Sequence, residues 1–252
     1  MAETPHFFVR GFSAPKWGEE RNDDNWGWGK RTGRIAIADG VTVGSFSDTW
    51  SSILVRAFIW SLIQFSQDRN RFGRELLRLQ KQWHQAVPWD YLERLGWNYL
   101  LKARQGTGST FLGVVLEGCT WNAVAVGDCN LFLVTDGGEL QVSWPAKSGD
   151  TFHNYPALIP SLPEVSAERI FLSMQRESGE IMPGQSLVLA TDALSEHLLS
   201  RHSDACLWQE LLSLDRDSKS DFCFWINHLR QAGMKNDDTT VVIAEAIASP
   251  WI

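Results

Sequence analysis

Aspartates recur at the ends of apolar runs in this sequence. Three short runs each stop on an aspartate, in "IAIAD", "AVAVGD" and "LVLATD", and a fourth, "TTVVIAEA", directly follows two. Two more adjacent aspartates stand in the stretch "ERNDDNWGWG" near the start of the chain. The acids of this set are Asp23, Asp24, Asp39, Asp128, Asp192, Asp237 and Asp238. Any one alone is typical of a turn, since aspartate readily bonds its own backbone there, but the repetition suggests a shared role.

Carboxylates gathered at buried strand ends need a compensating charge. A buried, unpaired carboxylate is costly, and several that converge repel one another unless a cation lies between them. Oxygen ligands with retained waters suit Mg²⁺ or Mn²⁺, whereas zinc prefers the clustered histidines and cysteines that this chain lacks. The pattern therefore predicts a Mg²⁺ or Mn²⁺ site built from strand-end aspartates.

The elements that must position these acids can be predicted from apolar spacing. Short apolar or alternating runs bounded by Gly, Asp, Asn or Ser predict strands. These runs are "HFFVRGFS", "RIAIAD", "STFLGVVLE", "TWNAVAVGD", "LFLVTD", "ELQVSW", "RIFLSM", "SLVLATD" and "TTVVIAEAI". Residues 47–105 instead show helical spacing, interrupted before the last helix by Pro88. A second helical block is predicted for residues 194–232, with Gly233 as its stop.

The order of these elements predicts an α+β fold. Consecutive strands joined by short turns, such as "VTDGGEL", favour antiparallel pairing over parallel units with crossover helices. We expect antiparallel sheets with helices on their outer faces, in one domain over residues 1–252. The Pro- and Ser-rich stretch at residues 143–166 is expected to be a long surface loop.

Composition narrows the class of protein. The chain has 252 residues, 44% of them apolar, and a net charge of −7, so it can bury a large core but is a poor partner for nucleic-acid backbones. The four cysteines form no C-x-x-C pair, and neither a signal peptide nor a membrane span is indicated, which favours a cytoplasmic location. An acidic protein that handled a phosphate would need a local cation, which bound metal ions would supply.

Other catalytic motifs are weak or missing. The glycines of "QGTGST" are not followed by the Gly-Lys-Ser/Thr of a phosphate-binding loop, and "HLLSRH" does not have the spacing of a zinc-binding H-E-x-x-H helix. No G-x-S-x-G motif is present. The aspartate set is thus the main chemical signal.

The order of the acidic motifs resembles that of the metal-dependent protein phosphatase 2C family in its bacterial form. The likeness runs from "RNDDNW" to "NDDTTVVI", over nearly the whole chain. Six short motifs carry it in the family's order: "NDD", "IADG", "GTGST", "VGDCN", "LATDALSE" and "NDDTTVVI". Each motif is weak by itself, but all six in the right order are a strong signal.

The resemblance implies a fold and a set of roles. The fold would be a four-layer α-β-β-α sandwich of two antiparallel sheets flanked by helices. Two Mn²⁺ or Mg²⁺ ions would be bound, and a bridging water of lowered pKa would attack phosphorus in line. Asp39 would bridge the two ions, the Gly40 carbonyl would bind the second, Asp192 and Asp237 would hold the first, Asp23 and Asp24 would act largely through water, and Asp128 would help bind a third. Asp238 matches a position that need not bind metal.

The same resemblance implies a phosphoserine or phosphothreonine protein as substrate and a cognate Ser/Thr kinase as a partner. The family's phosphate-binding arginine falls where this chain has Glu19, so Arg21 or a residue elsewhere must supply that charge, or activity is low. We predict Arg21 in this role. Two alternatives stay open: a pseudophosphatase that binds a phosphorylated partner without turnover, and a hydrolase of small phosphate esters.

Overall fold

The computed structural model describes residues 6–148, 156–163, 167–215 and 219–248. Its strands are β1 (His6–Ala14), β2 (Asn25–Gly29), β3 (Arg34–Ala38), β4 (Gly108–Ser109), β5 (Phe111–Glu117), β6 (Thr120–Val126), β7 (Asn130–Thr135), β8 (Leu140–Trp144), β9 (Ile159–Pro160), β10 (Gln175–Glu180), β11 (Gln185–Ala190) and β12 (Thr239–Ile247). Its helices are α1 (Ser47–Ile59), α2 (Arg69–Ala86), α3 (Trp89–Leu95), α4 (Trp97–Arg104), α5 (Ala167–Ser173), α6 (Asp192–Ser200), α7 (Ala205–Ser213) and α8 (Lys219–Gln231). None of the helices in these ranges is both long and apolar enough to cross a membrane.

Two five-stranded antiparallel sheets form the centre of the fold. The first sheet has the strand order β1-β12-β11-β7-β8, and the second has the order β10-β6-β5-β3-β2. Apolar side chains from both sheets share one buried cluster, so the sheets are stacked face to face. Helices α1 to α5 pack on the outer face of the second sheet, and α6 to α8 pack on that of the first. The predicted four-layer sandwich is therefore confirmed.

Side chains alternate between the two faces of a strand, so each sheet packs against the other sheet on one face and against helices on the other. In β3, Ile35 and Ile37 point into the core between the sheets, while Ala36 and Ala38 point to the helices. The small alanines let α1 lie close to the sheet, and all four side chains are fully buried. A strand buried on both faces reads as a continuous apolar run, which is how "RIAIA" reads.

Local signals set three helix boundaries, and those at Pro88 and Gly233 were predicted. Asp68 caps α2, with its carboxylate accepting hydrogen bonds from the backbone N–H groups of Asn70 and Arg71. Pro88 lies between α2 and α3, as expected for a residue that disfavours helix continuation. In the second block, α8 ends at Gln231, and Gly233 follows with a φ of +104°.

One strand prediction was wrong. The run "RIFLSM" lies mostly in helix α5 rather than in a strand. Ile170 and Met174, four residues apart, are both buried, and the Phe171 ring lies 6.4 Å from that of Phe72 on α2. A six-residue apolar run satisfies helical and strand patterns equally well, so the presence of α2 as a packing partner decided its form.

Two of the longer strands, β10 and β2, were missed. The polar segment "QRESGE" forms the edge strand β10, held by pairing with β6. The segment "NWGWG" forms β2, which pairs with β3. The expected loop at 143–166 contains the two-residue strand β9, whose Ile159 is fully buried, while residues 149–155 and 164–166 lie outside the described part.

We predict that Gly11→Ala destabilises the fold, because a Cβ at Gly11 would lie 2.6 Å from the ring of Trp26, where β1 faces β2. Overpacking of this kind costs about 1–3 kcal/mol, so urea unfolding should show that loss. Gly137→Ala is the control, since the nearest atom to its Cβ would be 3.6 Å away. Equal stability of both variants and the parent would contradict the packing described for the two sheets.

Candidate metal centre

The strand-end aspartates come from both sheets and meet at one edge of the sandwich. Asn25 of β2 pairs with Ala38 of β3, so Asp24 and Asp39 directly continue these two paired strands. In the first sheet, Ala190 of β11 pairs with Val241 of β12, and Asp192 and Asp237 lie just beyond that pair. The carboxylate of Asp39 interacts electrostatically with those of Asp24, Asp192, Asp128 and Asp237. The predicted acids therefore lie close to one another.

Asp39 and Gly40 are held by backbone contacts that leave no space for a larger residue. The Asp39 carbonyl accepts hydrogen bonds from the Thr110 N–H (2.9 Å) and the Ser109 hydroxyl (2.8 Å). A Cβ at Gly40 would lie 2.8 Å from the Asp23 carbonyl oxygen and 2.9 Å from Ser47. Glycine is thus required at position 40 by close approach of the neighbouring chain.

Asp24 is supported from the opposite sheet. Its Oδ2 accepts a hydrogen bond from the Thr191 hydroxyl at 3.1 Å, and that hydroxyl accepts one from the Thr240 N–H at 2.9 Å. All three residues are buried. The Thr191 hydroxyl, next to the end of β11, therefore orients the Asp24 carboxylate, which belongs to the second sheet. The hydroxyl is itself held by the backbone of Thr240 in β12.

Both carboxylate oxygens of Asp238 accept hydrogen bonds from backbone N–H groups, so this carboxylate is not free to face the other acids. Its Oδ1 accepts from the Lys16 N–H at 2.9 Å, and its Oδ2 accepts from the Asp23 N–H at 2.8 Å. Both contacts fix the segment that leads into β2. This structural function agrees with the expectation that Asp238 need not bind metal.

Burial and mutual repulsion raise the pKa values of several acids. Burial, followed by the charge of Asp24, holds the pKa of Asp39 well above its usual range. Burial together with Asp238 raises the pKa of Asp24 to about 8, and burial together with Asp192 raises the pKa of Asp128 to about 7. Burial also raises the pKa of Asp23, against the opposing effect of Arg21. A divalent cation at this edge would remove the repulsion.

The donor atoms fit such a cation. Asp24 Oδ1 and Asp128 Oδ1 are buried and accept no hydrogen bond from any described residue, which is uncommon and calls for a positive partner. The carboxylates and the Gly40 carbonyl are hard oxygen ligands of the kind that Mg²⁺ and Mn²⁺ prefer. Within the described ranges, however, no three His, Cys, Asp or Glu side chains are placed to hold an ion as they stand. An ion at this edge would therefore need a shift of these side chains or further oxygen ligands, such as the Gly40 carbonyl and water.

Two lysines form ion pairs with the aspartates that the first sheet contributes to the cluster. Lys235 Nζ lies 2.7 Å from Asp192 Oδ2 and 3.0 Å from Asp237 Oδ2, and Lys16 Nζ lies 2.9 Å from Asp237 Oδ1. Although burial acts to raise the pKa of Asp237, the hydrogen bonds from Lys16 and Lys235 outweigh it and lower that pKa. Ammonium groups thus supply part of the charge that this edge requires.

Arg21 lies at the rim of the acidic cluster. Its side chain is 55% exposed, and it contacts Asp23 Oδ1 through Nε at 2.9 Å and Asp48 Oδ1 through Nη2 at 3.0 Å. Glu19 is exposed in a turn in which its N–H donates to the Lys16 carbonyl at 3.0 Å. Arg21 is therefore near the acids but is already engaged by two of them.

Sequence reasoning missed the residues that support the acids. Lys235 stands two residues before Asp237 in "KNDD", and a lysine so near an acid pair was a usable signal. Lys16, Asp48 and Thr191 carried no such signal. Their functions depend on which distant segments the fold brings together.

The raised pKa of Asp24 predicts a pH effect on the metal-free protein. Between the ordinary value of 3.8 and about 8, the unfolded chain releases this proton before the folded chain does, so stability falls as pH rises through that range. Asp24→Asn should therefore raise the free energy of unfolding in chelator near pH 8, by about 1–3 kcal/mol. The gain should vanish towards pH 4.

Chemical denaturation at several pH values measures this difference. Asp136→Asn, in the exposed β7–β8 turn, is the matched control and should leave the pH profile unchanged. A gain from Asp24→Asn that did not depend on pH, or a loss near pH 8, would contradict the assigned cause.

Comparisons with known proteins agree with this fold. The chain is similar to PppA, "a key regulatory component of T6SS in Pseudomonas aeruginosa", with a TM-score of 0.65 at 16% identity, covering 97% of this chain and 100% of that one. It is similar to the catalytic domain of the serine threonine protein phosphatase PstP in complex with two manganese ions (TM-score 0.61, 18% identity, 96% and 98% covered). It is also similar to the serine/threonine phosphatase Stp1 from Staphylococcus aureus (0.60, 14%, 99% and 98%).

A search of curated proteins found no match. The family model described as protein phosphatase 2C, in contrast, matches residues 16–238, which include every aspartate of the cluster. The chain belongs to the protein phosphatase 2C family.

Proposed function

We propose that this protein is a Mn²⁺- or Mg²⁺-dependent phosphoprotein phosphatase that hydrolyses phosphoserine or phosphothreonine. The observation that carries the proposal is the convergence of aspartates from both sheets at one edge, where buried oxygens of Asp24 and Asp128 accept no hydrogen bond from the part of the chain that the structure describes. Membership of the protein phosphatase 2C family supports the same reaction class.

We assign the metal-binding residues as follows. Asp39, Asp192 and Asp237 would hold two ions together with the Gly40 carbonyl. Asp23 and Asp24 would act largely through water, and Asp128 would contribute to a third site. When bound, the ions supply a water of lowered pKa and positive charge for the phosphoryl oxygens.

The remaining groups of the chain prepare the site. The Thr191 hydroxyl orients Asp24, and the contacts of Ser109 and Thr110 hold the Asp39 backbone in position. Preorganisation of this kind avoids a rearrangement cost during reaction. In the reaction, an oxygen–phosphorus bond forms from water, the bond from phosphorus to the side-chain oxygen breaks, and the released serine or threonine oxygen takes up a proton.

Arg21 is proposed to attract the substrate phosphate. It is the exposed guanidinium beside Asp23, and a planar guanidinium suits phosphoryl oxygens. Its contact with Asp48 joins two exposed groups and can be exchanged for phosphate at the rim, whereas its contact with the buried Asp23 oxygen is better kept. Glu19 opposes this attraction, so we expect modest affinity for phosphate.

The proposal extends to partners and organisation. We propose that the substrate is a phosphorylated protein and that a cognate Ser/Thr kinase phosphorylates it. We also propose a cytoplasmic location and a single catalytic domain over residues 1–252. Manganese is the favoured test ion because the similar catalytic domain of PstP is in complex with two manganese ions.

A pseudophosphatase is the second candidate. Two observations favour it: Glu19 stands where the family's phosphate-binding arginine is expected, and Lys235 contacts two of the acids assigned to metal binding. Such a protein would bind a phosphorylated partner without turnover. The full set of converging carboxylates favours the enzyme, because a chain without catalysis has no need to retain such costly groups.

We predict that Asp39→Asn and Asp192→Asn each lower Mn²⁺-dependent hydrolysis by at least about 100-fold, since each removes charge that the ions need. Activity is measured with p-nitrophenyl phosphate and a phosphothreonine peptide, with Mn²⁺ and with chelator. Asp136→Asn is the control and should keep full activity.

The outcomes separate the candidate functions. Metal-independent turnover, or turnover unchanged in both variants, would reject the bimetal mechanism. Manganese binding without turnover would support the pseudophosphatase. Turnover of p-nitrophenyl phosphate alone would support a hydrolase of small esters.

For Arg21, we predict that Arg21→Ala raises the KM for the phosphothreonine peptide about 3- to 10-fold with a smaller change in kcat, because the lost attraction acts on bound substrate. Arg21→Lys should restore part of the affinity. Arg31→Ala, in the turn between β2 and β3, is an exposed control. Unchanged kinetics of Arg21→Ala would remove Arg21 from the site.

A further inference from the structure

Asp237 has both carboxylate oxygens occupied by ammonium groups. Lys16 Nζ lies 2.9 Å from Oδ1, and Lys235 Nζ lies 3.0 Å from Oδ2. The same Lys235 ammonium also lies 2.7 Å from Asp192 Oδ2. One side chain therefore bridges the carboxylate of Asp192, at the start of α6, and that of Asp237, just before β12.

The two lysines differ in how firmly they are held. Lys16 is 15% exposed, its Nζ also contacts the Thr42 hydroxyl at 2.7 Å, and its backbone N–H donates to Asp238. Lys235 is 47% exposed and lies in the turn between α8 and β12. Lys235 is thus the more exposed of the two ammonium groups and can turn into solvent more readily, whereas that of Lys16 is also held by Thr42.

A divalent ion at Asp192 and Asp237 conflicts with this arrangement. An ammonium group and a metal ion that share the same carboxylate oxygens repel each other strongly in a partly buried site. Since Lys235 is the more exposed of the two lysines and contacts both carboxylates, it is the group that must leave.

We propose that Lys235 is a tethered cation that occupies the Asp192–Asp237 pair in the metal-free protein and must be displaced when a metal ion binds there. The inference rests on the proposed function, which assigns these two acids to metal binding. It adds a positioning residue, Lys235, that sets the apparent metal affinity of this particular chain.

Displacement has two linked consequences. The bridge neutralises repulsion among the acids, so it stabilises the metal-free fold. The same bridge reduces the fraction of molecules ready to accept an ion, which weakens apparent binding. Removing the bridge should therefore tighten metal binding and weaken the metal-free fold, whereas a purely structural lysine would weaken both when removed.

The test measures Mn²⁺ binding by isothermal titration calorimetry and unfolding in chelator, using the full chain. Lys235→Gln should bind Mn²⁺ about tenfold or more tightly than the parent, with an earlier unfolding midpoint in chelator. Lys235→Arg keeps the charge and should stay close to the parent. Lys81→Gln, on the exposed side of α2, is the remote control and should change neither quantity.

Lys16→Gln separates displacement from a simple change of net charge. It removes one positive charge from the same carboxylate but leaves the Lys235 bridge in place. Its gain in Mn²⁺ affinity should be clearly smaller than that of Lys235→Gln. An equal gain in the two variants, or no gain in Lys235→Gln, would overturn the proposal.

Failure of the proposed function would look different. If neither the parent nor Lys235→Gln binds Mn²⁺ or Mg²⁺, the metal-dependent phosphatase is rejected, and the displacement proposal falls with it. If the parent binds Mn²⁺ and Lys235→Gln binds it with the same affinity, only the displacement proposal is rejected.

Discussion

The repulsion among carboxylates at one edge of the sandwich is the constraint on which the rest of this structure depends. Asp39 is surrounded by the charges of Asp24, Asp192, Asp128 and Asp237 in a largely buried position. Such a group is unstable by itself, because each carboxylate loses hydration and gains like-charged neighbours. The surrounding chain therefore has to supply hydrogen bonds and positive charge, and a bound cation would complete that compensation.

The two-sheet architecture is what brings these acids together. One sheet contributes Asp24 and Asp39 through the paired ends of β2 and β3, and the other contributes Asp192 and Asp237 through β11 and β12. Contacts between the sheets then align the site, as in the hydrogen bond from Thr191 to Asp24. A shift in the stacking of the sheets would consequently disturb the geometry of the site, which links core packing to function.

Lys16, Lys235 and Arg21 supply positive charge at this edge of the sandwich, and they differ in how freely their side chains can move. Lys16 is anchored by Thr42 and by its own backbone, Lys235 reaches in from an exposed turn, and Arg21 lies at the rim. This gradation gives an acidic protein a way to neutralise its converging carboxylates with cations that differ in mobility. Glu19 adds a negative charge near the same rim.

The sequence alone determined the layered fold class, most strands, both helical blocks and the identity of the acidic set, because alternation, helical spacing and strand-end aspartates are local patterns. It misassigned "RIFLSM" and missed β10, since a short apolar run fits two periods and a polar edge strand has none. Only the tertiary structure decided that Lys16 contacts Asp237, that Lys235 reaches Asp192, that Thr191 supports Asp24, and that Arg21 is engaged by Asp48. These contacts join segments far apart in the chain, and the register and stacking of the two sheets, rather than any local pattern, bring them within bonding distance.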